Sequence, residues 1–229
     1  MTSLLTLIEK IVNFFSIVIE YTPKFLPAAA LTLQLSLFSI LLGTVIGLII
    51  TILKRSKIKV LGWISNVYIS IIRGTPLLLQ LYFLFFVLPM IGLRIDRFTS
   101  AIIGLAFHNG AYISEIFRGS IESIHYGQRE AALALGMTKF QTFVNIVLPQ
   151  AFKRSVPSLG NQFIIAVKDS SLASVITITE IMLMARQLQA ATYAPFPIFF
   201  IAGAYYYIMI TVLSKMLKVL EGRLKVNER

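Results

Sequence analysis

Uncharged apolar runs separated by short charged clusters set the pattern of this chain. Residues 28–53 carry no charge, and a helix over them at ~1.5 Å per residue reaches about 39 Å, enough for a tilted membrane crossing. Lys54, Arg55, Lys57 and Lys59 follow directly. A second uncharged run, 75–93, leads to Arg94, Asp96 and Arg97, and a third, 98–114, ends at Glu115 and Arg118. Residues 155–167 and 170–179 are each too short to span alone, with Lys168-Asp169 between them, which predicts one membrane element with a polar break. The last run, 187–214, is entered through a turn at Pro195 and Pro197. The pattern predicts an all-α integral membrane protein of five transmembrane helices, forming one domain over residues 1–229.

The intervening segments read differently. Residues 4–20 are apolar but interrupted by Glu9, Lys10 and Asn13. An amphipathic interfacial helix within residues 1–22 is expected, with a span as the alternative. Pro23 and Pro27 are expected to break it from the uncharged run beginning at Ala28. Residues 60–72 suit either the cytoplasmic surface or the start of the next span. Thr75 is expected to cap the helix after them, with Pro76 in its first turn. Gly43 and Gly47 form a small-xxx-small pair that fits a packing notch within the chain or a dimer seam equally well.

Residues 130–149 (EAALALGMTKFQTFVNIVLP) interrupt the membrane pattern. Ala131, Ala132 and Leu135 share one helical face, and Gly136 suits the left-handed stop after a helix. Thr138 and Gln141 have capping-box spacing, and Phe140, Phe143, Val144 and Val147 recur at helical intervals. Pro149 is expected to close this two-helix unit. Neither helix is long enough to cross a membrane. A folded amphipathic pair outside the bilayer calls for a protein partner.

Composition sharpens this reading. The chain of 229 residues is 57% hydrophobic, beyond most soluble domains. Its net charge of +11 comes from basic residues at the ends of apolar runs, which is the positive-inside pattern rather than a nucleic-acid stripe. With the N-terminus outside and the C-terminus inside, 15 of the 21 lysines and arginines fall in cytoplasmic segments. No small-x-small cleavage site follows a short apolar core. Without cysteine there is no disulfide framework or thiolate metal site. No GxxxxGK[ST] phosphate loop occurs, so this chain is expected not to hydrolyse ATP itself. Two histidines, His108 and His125, on opposite sides of a leaflet do not make a catalytic set. A passive channel would need a selectivity segment or acidic ring, which is missing.

Glu130-Ala131-Ala132, Gly136, Ile146 and Leu148-Pro149 at these spacings resemble the EAA motif of ABC importer permeases. Four further stretches resemble the polar amino acid branch: residues 31–47, 72–83 (IRGTPLLLQLYF), 110–137 and 148–176, the last including Lys168-Asp169-Ser170-Ser171. Together they cover most of the chain beyond residue 25. The family often has threonine where Ser170 stands, and serine keeps the hydroxyl. The resemblance implies a type I importer permease fold in a bacterial cytoplasmic membrane. It also implies a second permease subunit, identical or related, and two ABC ATPase subunits holding ATP and Mg. An external binding protein would deliver a polar amino acid such as arginine, histidine, lysine or glutamine. It makes 120–149 the coupling-helix region, with Glu130, Ala131, Ala132, Gly136, Met137, Thr138 and Phe140 docking on the ATPase.

For the substrate path, polar groups at membrane depth are the candidates because burial there is costly. They are Asn109, Asn161, Lys168, Asp169, Ser170, Ser171 and Glu180, with His108 read as a satisfied interior histidine. A helix broken at residues 168–171 would offer backbone groups to an amino acid's carboxylate and ammonium. Lys168 would then meet the carboxylate and Asp169 the ammonium. The alternative is that Lys168 snorkels and Asp169 caps. Glu115 and Arg118, three apart, are expected to pair structurally, and Tyr205, Tyr206 and Tyr207 to pack.

Overall fold

A computed structural model describes residues 2–226, and helices account for nearly all of them. Helix α1 (Thr2–Tyr21) passes through a 3-10 turn (Thr22–Phe25) into α2 (Leu26–Lys54). Pro23 and Pro27 do not separate them. Each falls in a first turn, where a missing amide costs little, and Leu7–Lys54 forms one rod of 48 residues. The next pair is bent. Helix α3 (Lys59–Gly74) meets the helical segment Leu77–Ile91, which opens with α4 (Leu77–Tyr82), at 106°. Pro76 holds Thr75 extended (φ −123°, ψ 147°), so the bend falls there. The Thr75 hydroxyl does not cap α4; it donates back to the Ile71 carbonyl.

Helix α5 (Arg97–Glu122) starts at Asp96, whose carboxylate accepts from the Phe98 and Thr99 amides. The Thr99 side chain foremost, and then these amides, hold its carboxyl below the usual carboxylate range. Two short helices follow, α6 (Tyr126–Ala134) and α7 (Lys139–Thr142), before α8 (Leu148–Asp169), α9 (Ile181–Thr192) and α10 (Pro195–Val226).

Three further boundaries differ from the sequence expectation. Pro149 does not end the helical pair. A π turn over Phe143–Val147 widens the ladder ahead of it, which spares its ring a clash with the preceding turn, and the chain runs on into α8. The heptapeptide pattern Phe-x-x-x-Val-Leu-Pro occurs twice, at 83–89 and 143–149, and both copies fold this way, with Phe83 and Phe143 accepting from Leu88 and Leu148. The polar break does not fall at residues 168–171. Helix α8 continues through Asp169 into a 3-10 turn (Ser170–Ile176), and the chain reverses only where Thr177 turns left-handed (φ 66°). Residues 187–192 belong to α9, so the final span begins at Pro195.

Helix α5 is the axis of the bundle, with Ala101, Leu105, Ala106, Ala111 and Ile113 wholly buried. Helix α2 lies along it through small residues. A Cβ on Gly47 would stand 2.7 Å from Ile113 Cγ2 and 3.1 Å from the Gly110 carbonyl, and one on Gly43 3.0 Å from Asn109 Cβ. The glycine pair is therefore a packing notch inside the chain. Gly47→Leu is expected to overpack this seam by about 1–3 kcal/mol. Thermal unfolding in detergent checks it, and an unchanged midpoint would refute the notch.

The pairings also give directions. Thr51 donates to the Ser114 carbonyl near one end of α2 and α5, and Gly43 meets Asn109 midway, so these helices run together. Helix α8 runs against them: its residue 162 meets Asn109, while Ser36, nearer the start of α2, donates to Ala166. By length and composition the rod Leu7–Lys54 and α10 can cross a membrane, with the bent α3–α4 pair as a third crossing. Helices α5 and α8 have 26 and 22 residues and are more polar.

Candidate coupling unit and membrane-depth polar residues

The short helices α6 and α7 are built as their residues dictate. Helix α6 ends in a Schellman turn: the Met137 amide donates to the Ala132 carbonyl (3.1 Å) and the Gly136 amide to Leu133 (3.0 Å). Gly136 has φ +82°, as that turn requires. The Thr138–Gln141 capping box is complete, at 3.2 Å and 2.8 Å. His125 accepts from the Gly127 amide at the start of α6.

The two faces of the unit part company. Phe143 and Val147 turn inward onto Ile121, Ile124 and Ala151, while Leu135 and Phe140 stand 84% and 76% exposed. Ala132 is buried and Ala131 exposed, so the expected single face of α6 is split. Glu130 is exposed, without an ion pair or side-chain bond to the described residues. One arginine of α6 fastens the unit to the bundle, and one of α8 secures the helix that continues from it. Arg129 donates to the Ile121 carbonyl (3.1 Å) and Arg154 to the Ser123 carbonyl (2.6 Å), both near the end of α5.

Just above this anchor the expected Glu115–Arg118 pair is the centre of a larger cluster. Glu115 accepts from Arg118 Nη2 (2.8 Å) and Lys54 Nζ (2.9 Å), with Arg73 Nη1 at 3.9 Å, and Arg118 also pairs with Glu122. One carboxylate thereby joins the ends of α2, α3 and α5.

The candidate substrate residues divide into two sets. Asn109 is buried and bonded on both sides, donating to the Leu105 carbonyl and accepting from Gln162 Nε2 (2.9 Å). Glu180 is buried too. Its carboxylate accepts from the Met182 and Leu183 amides and from the Tyr206 hydroxyl (2.8 Å), which makes it the cap of α9. Ser170 and Ser171 donate to carbonyls three residues back. Asn161 and Lys168 stay exposed, and seven residues apart they share one face of α8. Asp169, the next residue and about 100° round the helix, is half-buried and caps nothing.

Some polar positions were not anticipated. Gln80 donates to the Ile72 and Thr75 carbonyls and lies 3.3 Å from His108 Nδ1, bridging the bend to α5. Gln162 fixes α8 to α5, and the Tyr68 hydroxyl donates to the Phe107 carbonyl (2.6 Å). Uncharged amides inside apolar runs were the available signal, since a buried amide requires a partner.

Comparison with known proteins places these features in context. Residues 39–226 match the family described as binding-protein-dependent transport system inner membrane component. The arginine transport system permease protein ArtQ of Bacillus subtilis (strain 168) is 38% identical over 215 residues, covering 93% of this chain and 98% of that protein. The glutamine transport system permease protein GlnP of Escherichia coli (strain K12) is 40% identical over 210 residues, 89% of this chain and 94% of that one. A crystal structure of an amino acid ABC transporter with histidines superposes with a TM-score of 0.88 at 38% identity, covering 92% of this chain and 98% of that chain.

Proposed function

Because this chain belongs to the family of inner-membrane components of binding-protein-dependent transport systems, we propose that its exposed α6–α7 surface receives the stroke of a cytoplasmic ATPase. The chain is a permease subunit of a polar amino acid ABC importer. The observation that carries the coupling role is the pairing of outward Leu135 and Phe140 with the inward tie from Arg129 to α5, to which Arg154 of α8 is bonded in turn. Force applied at the apolar side chains reaches α5 and α8 through short, charge-assisted bonds rather than a loose loop.

In this reading the chain crosses the membrane five times, N-terminus outside, with α5 and α8 as interior crossings. The alternating helix directions and the charge bias support it. ATP and Mg sit on two partner ATPases, and an external binding protein hands over a polar amino acid, arginine- or glutamine-like. The exposed face of α8 carrying Asn161 and Lys168, with Asp169 beside it at the end of the helix, lines the path against a second permease. Asn109 and Glu180 are occupied by structural bonds and hold the walls of that path. Docking is assigned to Glu130, Ala131, Leu135, Gly136, Met137, Thr138 and Phe140, with buried Ala132 packing behind them.

The test is co-expression with candidate ATPases, purification, and uptake of labelled arginine or glutamine into proteoliposomes. The wild type is expected to retain an ATPase and to transport only with ATP and a binding protein. Leu135→Asp with Phe140→Asp is expected to insert normally but to lose the co-purified ATPase by about tenfold or more, as when apolar anchors leave an interface. Equal recovery of ATPase would place docking elsewhere.

A further inference from the structure

Beside the coupling unit lies a cavity of about 320 Å³ whose charge is all of one sign. Arg55, Arg129 and Lys139 line it together with Tyr126, and none of its lining residues is acidic. Among the described residues none of the three cations pairs with a carboxylate. Arg55 lies 5.4 Å over the Phe143 ring, which orients its guanidinium. Arg129 spends one nitrogen on the Ile121 carbonyl and keeps other donors free. Thr142 also lines the cavity. It is only 4% exposed, and among the described residues its hydroxyl is the one buried side-chain polar atom without a hydrogen-bond partner. Three uncompensated cations and an unmet hydroxyl call for an oxyanion with several acceptor atoms.

A second cavity of about 250 Å³ adjoins the first, and the two share Arg55 and Phe143 as walls. The rest of its lining is apolar apart from Thr51, with Leu48, Ile52, Leu148 and Phe152 exposed on the outer surface of α2 and α8. A free phosphate or an acidic peptide uses only the basic half. A molecule with a phosphate at one end and an alkyl chain at the other uses both.

We propose that this double cavity is a binding site for an anionic phospholipid, its phosphate among Arg55, Arg129, Lys139 and Thr142 and one acyl chain along Leu48, Ile52 and Phe152. Arg55 stands two residues past the uncharged run of α2, the depth at which a headgroup lies. The proposal rests on the membrane reading above, but not on orientation or on what is transported. A lipid on these residues would brace α2 against the coupling unit.

The experiment is native mass spectrometry of the full-length protein released from nanodiscs containing phosphatidylcholine with phosphatidylglycerol as a minor component. The expected result is selective retention of phosphatidylglycerol, reduced about tenfold by Arg55→Gln with Arg129→Gln. Lys139→Gln, whose side chain makes no hydrogen bond to the described residues, is expected to reduce it about threefold by itself. Lys57→Gln, in the same basic segment but outside the cavity, is expected to leave it unchanged. Equal retention of the two lipids, or equal loss in Lys57→Gln, would overturn the site in favour of diffuse surface charge. Displacement of phosphatidylglycerol by millimolar inorganic phosphate would overturn the acyl half. Because no transport is read, failure here leaves the permease function untouched.

Discussion

Gly136→Leu is expected to leave insertion and the helical bundle intact while abolishing ATP-driven uptake and substrate-stimulated ATPase activity. The position is open: nothing lies within 4 Å of a Cβ built there. The effect is therefore not a clash within the chain. It comes from φ +82°, which costs an L-residue roughly 1–2 kcal/mol and loosens the Schellman turn that sets α6 against α7. The new side chain would also stand on the outer surface between Leu135 and Thr138, where the ATPase is expected to seat. Asparagine tolerates the left-handed region, so Gly136→Asn should retain most activity. Uptake and ATPase rates for the two variants in the same proteoliposomes decide it. Equal activity of the leucine variant would show that the turn does not transmit the stroke.

Glu115→Ala is expected to cost about 2–3 kcal/mol of stability, less than a fully buried pair because the carboxylate remains partly wet. Its side chain is 20% exposed and Lys54's 27%, so removal strands Lys54 and Arg118 in a half-desolvated site. Replacing both members of the pair, Lys54→Met with Glu115→Leu, is expected to be milder than the single change, since no charge is left unmet. Thermal unfolding of purified protein checks the order. A double variant worse than Glu115→Ala would mean that the pair contributes net attraction rather than mutual neutralisation.

Much of this architecture was legible along the chain because lipid imposes a simple rule. Uncharged runs must be helical, as no water satisfies a free backbone there. The Gly136 stop and the Thr138–Gln141 box were equally legible, being local chemistry with fixed spacing. What failed was the reading of proline as a terminator. Pro23, Pro27 and Pro149 all sit where a tightened or widened turn absorbs the ring. Local pattern does not reveal such turns. Lys168-Asp169 misled for a related reason: a charged pair marks polarity, not a chain break, and the last turn of a helix accommodates both. The substrate residues were the least legible. Whether Asn109 or Glu180 is free or spoken for depends on Gln162 and Tyr206, which lie 53 and 26 residues away.

The π turn over Phe143–Val147 acts geometrically as one inserted residue. Each residue advances an α-helix by about 100°, so that turn sets the azimuth of everything on α8 beyond it. Shortening residues 143–147 by a single position would swing Asn161 and Lys168 roughly a quarter of the way round the helix barrel. The compass bearing of that α8 face is thus decided between the short helices and α8, well before the chain reaches Asn161 and Lys168.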